Sequence, residues 1–235
     1  MTRVLMILTS NETLGATGEK TGFFWEELAN PYWTFRDAGL QVDLASVEGG
    51  QPPADPGSDD GNGKRTAAVQ RFMDDSKAME ALRSTAKIDD LDTTGYDAVF
   101  LPGGHGTMWD LRQSGAVGHA VAHIYEQGGV VGAVCHGPAG LLGATLKSGD
   151  PLVKGKRVNG FTNAEEKAVG LDAVVPYLLE DVLKEQGARF ESSVEDFCGH
   201  SVRDGRLVTG QNPASSEMTA HRVLEALEEH GLKAA

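Results

Sequence analysis

The sequence predicts a doubly wound α/β fold: a mostly parallel sheet sandwiched by helices. Three observations carry this. Short, continuous apolar runs recur along the 235 residues, longer amphipathic segments separate them, and glycine, asparagine and proline mark the segment ends. A run that is apolar throughout, rather than alternating, suits a strand buried on both faces. Such strands alternating with helices give a parallel sheet covered on both sides.

The first run is 4–8 (VLMIL), and similar runs follow at 42–47, 98–101, 130–134 and 207–209. Helices are expected over 26–38, 113–127, 174–186 and 213–229. Gly39 follows the first of these and Gly128-Gly129 the second, where a left-handed C-cap would sit. Asn212-Pro213 reads as N-cap and first helical residue of the last one. Residues 49–63 (GGQPPADPGSDDGNG) are almost free of apolar side chains and form an irregular surface excursion, after which the rhythm resumes. The stretch 64–83 reads as one helix or two short ones. Together, 49–83 is a surface insertion that could act as a lid over a single domain spanning 1–235. At this length folding buries around 70% of the unfolded chain's surface, enough core without metals or disulfides.

Composition narrows the function. With 21 Lys+Arg against 34 Asp+Glu the net charge is −13, and no basic cluster is present to meet a phosphate backbone, which speaks against a nucleic-acid partner. No apolar run approaches the roughly 18 residues of a membrane span, and the N-terminal stretch lacks a signal-peptide pattern. Two cysteines, Cys135 and Cys198, are too few for a disulfide framework or a Cys-rich zinc site. The expectation is a reduced, cytoplasmic protein.

Chemistry concentrates where two apolar runs end. The run 130–134 stops at Cys135-His136-Gly137-Pro138-Ala139, with a helix expected to start near Gly140. A nucleophile on such a strand-to-helix turn stands at the carboxyl edge of the sheet. Backbone amides and a helix N-terminus there would lower the thiol pKa and leave an exposed thiolate. An inert buried cysteine is the bland alternative. The run 98–101 stops at Pro102-Gly103-Gly104-His105-Gly106, whose amides can turn inward. The Gly104 and His136 amides suit an oxyanion hole, whereas a phosphate loop lacks its Lys-Ser/Thr and its G-x-G-x-x-G. Glu26 and Glu27 follow the aromatic run Phe23-Phe24-Trp25. They point about 100° apart on a helix, and periodicity alone favours solvated surface for both. His105 could line the pocket or be satisfied within its turn. Trp109 and Phe161 read as core packing or pocket wall, His119, His123, His221 and His230 as surface, and Cys198 with His200 offers only two candidate metal ligands.

These residues also resemble those of the ThiJ/PfpI superfamily, the class I glutamine-amidotransferase-like proteins, and within it the glyoxalase III and heat-inducible chaperone branch. The matching pieces run in order along the chain: Lys20-Thr21-Gly22 with Glu27 and Pro31; Gly103-Gly104-His105-Gly106-Thr107; Ala133-Val134-Cys135-His136-Gly137-Pro138; Gly160-Phe161-Thr162 with Glu166; and Gly205 through Ser215. The resemblance implies a flavodoxin-like fold with a nucleophile elbow at Cys135. It implies His136 as the acid/base neighbour, Glu27 as the carboxyl touching the thiol, and Glu166 as the residue orienting His136. Because Glu165 is adjacent to Glu166, that last role is ambiguous by one position. The resemblance further implies a glyoxalase that needs neither cofactor nor metal and turns a small dicarbonyl, methylglyoxal or glyoxal, into a hydroxy acid, with a homodimer as the expected assembly. A C-terminal His-x-Glu pair is missing, which disfavours glutamine hydrolysis. A deglycase, amidase or peptidase using the same thiol, a holding chaperone and a thiol redox sensor are the rival readings.

Overall fold

A computed structural model describes residues 2–59 and 65–231. In chain order the elements are β1 (Arg3–Leu8), α1 (Trp25–Asp37), β2 (Gln41–Ser46), α2 (Ala67–Asp74), α3 (Ser76–Arg83), β3 (Ala86–Lys87), β4 (Ala98–Leu101), α4 (Thr107–Asp110), α5 (Gly115–Glu126), β5 (Val130–Val134), β6 (Arg157–Val158), α6 (Asn163–Ala168), α7 (Leu179–Glu185), β7 (Arg189–Phe190), β8 (Ser201–Asp204), β9 (Leu207–Gly210) and α8 (Ser216–Glu229). Seven strands form one sheet in the order β3-β2-β1-β4-β5-β9-β8, and a separate pair joins β6 to β7. Among the described residues only β8 runs antiparallel to its neighbour. The five runs read as strands from sequence are β1, β2, β4, β5 and β9.

The continuous apolar character of the strands has a direct cause. Alternate residues serve two cores. Leu5, Ile7, Val99, Leu101, Val131 and Ala133 pack with Val117, Val121 and Ile124 of α5. Their neighbours Val4, Met6, Ala98, Phe100, Val130 and Val134 pack with Leu28 and Phe35 of α1 and Val223 of α8. Each fully buried Leu or Phe contributes roughly 1.5–3 kcal/mol.

Two expectations change. The helix expected over 174–186 begins only at Leu179, because Pro176 disfavours helical backbone at the residue before it. After Cys135 no α-helix starts: residues 137–141 form a 3₁₀ turn containing Gly137, Pro138 and Gly140. Over 64–83 the second alternative is found, two short helices, α2 against α1; the part of the 49–83 insertion that lines the site described below is Asp55, Pro56 and Gly57 rather than either helix. Residues 60–63 of the surface excursion, and Lys64, lie outside the described residues. Among those described, no helix is long and apolar enough to cross a membrane.

Candidate active site

The carboxyl ends of β4 and β5 bring the two turns together. Cys135 follows β5 directly and holds φ at 58°, a left-handed conformation that costs a non-glycine residue about 1–2 kcal/mol. Surrounding bonds hold it there: its amide donates to the Gly210 carbonyl (2.9 Å), and its carbonyl accepts from the Phe161 amide (2.8 Å). Thr107 ties the two turns by donating its hydroxyl to the carbonyls of Gly104 (2.9 Å) and His136 (3.1 Å). Gly104 sits at φ 104°, where a side chain is strained, and a Cβ at Gly103 would lie 2.5 Å from Glu27 Oε2 and 2.7 Å from the His136 nitrogen. Glycine at both positions is what lets the β4 turn lie flat against the elbow.

Cys135 Sγ lies 3.3 Å from His136 Nδ1. On the far side of that ring, His136 Nε2 meets Glu166 Oε2 at 2.8 Å, and His105 Nε2 meets the other oxygen, Oε1, at 2.8 Å. Burial acts to raise the Glu166 pKa, but hydrogen bonds from the two histidines outweigh it and hold the group at about 2. Glu166 is therefore an acceptor only, so both Nε2 atoms carry protons. The His136 pKa is lowered to about 4 by burial, with His105 adding to the effect. The imidazole is neutral at pH 7 and presents the Nδ1 lone pair to the thiol. The ambiguity between the adjacent glutamates is resolved geometrically. Glu165 faces away: its Oε2 takes part in a capping box with Thr162, and its Oε1 accepts from the Phe197 amide, Gln211 and Asn212.

Glu27, in the first turn of α1, is fully buried. Its Oε2 accepts from the Gly103 amide at 2.7 Å, Oε1 meets no nitrogen or oxygen partner, and the carboxyl faces the Cys135 thiol. Desolvation lifts its pKa to about 8, so at neutral pH it is mostly protonated. Both glutamates of this turn looked like solvated surface from periodicity alone. That holds in part for Glu26 and fails for Glu27, because the preceding aromatic run drives the start of α1 into the core.

The exposed thiolate expected from sequence is corrected. Cys135 is 3% exposed, and burial first, then the facing Glu27 carboxyl, push the thiol well above its usual pKa. A 3₁₀ turn rather than an α-helix follows it, and the His136 amide acts in favour of its ionised form without offsetting the burial. The resting site thus holds a neutral thiol, a neutral imidazole and a protonated carboxyl. Among the described residues the Gly104 amide makes no hydrogen bond.

Cys135, His136, Gly104 and His105 floor a cavity of about 700 Å³. His105, placed by sequence between pocket wall and turn, both lines this cavity and binds Glu166. Phe161 lines it too and stacks obliquely on His136, ring centroids 4.5 Å apart, whereas Trp109 packs against the core beside Gly15. Cys198 is exposed, with Glu195 as its side-chain neighbour. The donor atoms of His105, His136 and Glu166 lie within 4.8 Å of one another, so these are the side chains that could hold a cation. Their hydrogen bonds already account for every nitrogen facing Glu166. Sequence reasoning missed Val169, Leu171 and Phe197 as lining residues, and held Asp55, Pro56 and Gly57 only as part of the 49–83 insertion. They sit mostly on irregular segments with no periodic signal, and Phe197 directly after Glu195-Asp196 was the one available hint.

The model of the DJ-1/PfpI family matches residues 21–226. Glutathione-independent glyoxalase HSP31 of Saccharomyces cerevisiae is 37% identical over 96% of this chain and 98% of its own. The crystal structure of glyoxalase III from Candida albicans superposes with a TM-score of 0.88 at 34% identity, covering 96% and 97% of the two chains. The Rapid Encystment Protein 24 KDa of Francisella tularensis gives a TM-score of 0.91 at 36% identity, covering 97% and 99%.

Proposed function

The chain belongs to the DJ-1/PfpI family, and from that premise we propose that it is a glutathione-independent glyoxalase converting methylglyoxal and water to lactate, with Cys135 as the nucleophile. The observation that carries this reading is the line Cys135–His136–Glu166, with Nδ1 3.3 Å from sulfur, and the buried Glu27 carboxyl facing the same thiol.

As sulfur adds to the aldehyde carbon, the thiol proton passes to His136 Nδ1, and the imidazolium formed rests on ionised Glu166. The new alkoxide lies against the amides of Gly104 and His136 and takes that proton, giving a hemithioacetal. The ionised fraction of Glu27 removes the proton from the first carbon and returns it to the second through an enediol. A carboxyl with a pKa of about 8 suits both directions, since a general base works best near the ambient pH. Water hydrolyses the resulting thioester, releasing lactate and restoring the thiol. No electrons leave the substrate.

Purified protein with methylglyoxal, without glutathione, should form lactate, and Cys135→Ala should form none while its circular dichroism spectrum is unchanged. Turnover retained in that variant refutes the covalent route.

A further inference from the structure

The cavity is far larger than a three-carbon dicarbonyl requires. At about 700 Å³ it falls in the range of roughly 300–1,000 Å³ that encloses drug-sized ligands. Besides the groups around Cys135 its polar lining is Glu19, Lys20 and Asp55, whereas Phe24, Phe161, Val169, Leu171, Phe197 and Pro213 make the rest of its wall largely apolar. Large exposed apolar side chains are few among the described residues, and two of the four, Phe197 (46% exposed) and Val169 (44%), stand at this mouth.

Phe197 is held there. Its φ is 60°, a conformation disfavoured for an aromatic residue, and its amide donates to buried Glu165 at 2.9 Å. Its ring meets Phe161 edge-on at 6.2 Å, and Phe161 in turn lies 4.5 Å from His136 and 5.9 Å from His105. A ladder of rings therefore runs from solvent down to the reacting sulfur. A methyl group on the dicarbonyl would leave this ladder in water, and an aryl group would fill it.

We infer that the site takes 2-oxoaldehydes bearing an aryl or bulky apolar substituent in preference to methylglyoxal, with Phe197 and Phe161 determining that specificity. This rests on the glyoxalase reading above. For phenylglyoxal the balance is the same: sulfur bonds to the aldehyde carbon, the proton on that carbon moves to the neighbouring one, and water releases mandelate and the thiol.

The first test compares kcat/KM for phenylglyoxal and methylglyoxal. The ratio should exceed ten, fall about tenfold in Phe197→Ser as the ring contact is lost, and stay unchanged in Val194→Ser, which alters an exposed apolar side chain of the same loop outside the cavity wall. A ratio near one, or one untouched by Phe197→Ser, overturns the inference and leaves the glyoxalase reading intact. The second test needs no turnover. Phenacyl bromide and bromoacetone alkylate Cys135 and exposed Cys198 in the same sample, resolved by peptide mass spectrometry. The phenacyl-to-acetonyl rate ratio should be at least fivefold higher at Cys135 than at Cys198, and equal ratios overturn the inference even if no dicarbonyl is turned over.

Discussion

At the scale of single residues, the site depends on three groups whose pKa values burial and hydrogen bonding move away from their ordinary values. Glu27 binds its proton more tightly in the folded chain, at about 8, than its ordinary value of 4.5. Between those values the native state keeps a proton the unfolded state has lost, so this group makes stability fall as pH rises, by about 1.4 kcal/mol per unit. His136 runs the other way. Its lowered value of about 4 against 6.5 makes stability rise with pH across that window, after which its effect is complete. Glu166, at about 2 against 4.5, contributes stability that is present above 4.5 and lost on acidification toward 2. The interval from pH 6.5 to 8 therefore isolates Glu27. Urea unfolding should show Glu27→Gln gaining about 2 kcal/mol on the parent protein across that interval. The same variant should lose roughly 10²–10⁴ in kcat/KM for methylglyoxal, as expected when a positioned general base is removed. A stability difference flat with pH would mean that Glu27 is already ionised in the folded protein at neutral pH.

At the scale of elements, α6 separates two neighbouring carboxylates by function. Both are buried at the helix start, yet Glu166 serves two imidazoles and Glu165 serves the chain segments around Thr162, Phe197 and Asn212. In Glu166→Gln the amide can accept from only one ring N–H. Its NH₂ forces the other ring to shift its proton, and if that ring is His136 the lone pair facing sulfur is lost. Activity should fall by roughly 10²–10⁴, as when the carboxylate of a catalytic triad becomes an amide. Glu165→Gln instead sets an NH₂ against existing donors. It should cost about 1–3 kcal/mol of stability and less than tenfold in kcat/KM. Thermal melts and initial rates on the two variants separate the roles, and equal activity losses would place Glu165 in the chemistry too. The sequence left this pair undecided because adjacency carries no information about which way a helix start turns. It was more informative where the local signal and the tertiary demand agree. The run that became β5 is apolar throughout because both sheet faces are covered, and its boundaries are those read from sequence. The edge strand β8, with two half-buried residues, gave no apolar run and went unread, although Asp204-Gly205 before β9 is a hairpin signal. The thiol was misjudged for a physical reason: lowering its pKa required a following α-helix and solvent access, and Gly137-Pro138 with the Glu27 carboxyl provide neither.

For the whole molecule, the sheet places chemistry at one edge and stability elsewhere. The parallel strands β4 and β5 end side by side, so the β4 turn and the elbow meet where open α/β sheets bind ligands, outside the carboxyl ends of the strands. The rest of β5 serves as packing surface. Gly132 at its centre lies beneath α8, and a Cβ there would come within 2.6 Å of Phe100 and 2.8 Å of Val223. A glycine is needed at that point so that the helix can seat on the sheet. Gly132→Ala should overpack this contact and cost about 1–3 kcal/mol. In a chain of this size, that lowers the melting temperature by several degrees. Residues 133 and 134 separate it from the nucleophile, and the elbow is tied independently to Gly210 and Phe161, so kcat/KM at 25 °C should stay within twofold. Differential scanning calorimetry paired with rates well below the melting transition distinguishes the alternatives. A large loss of activity in the still-folded variant would show that strain in β5 reaches Cys135, and that the left-handed elbow is held by the whole strand rather than by its own hydrogen bonds.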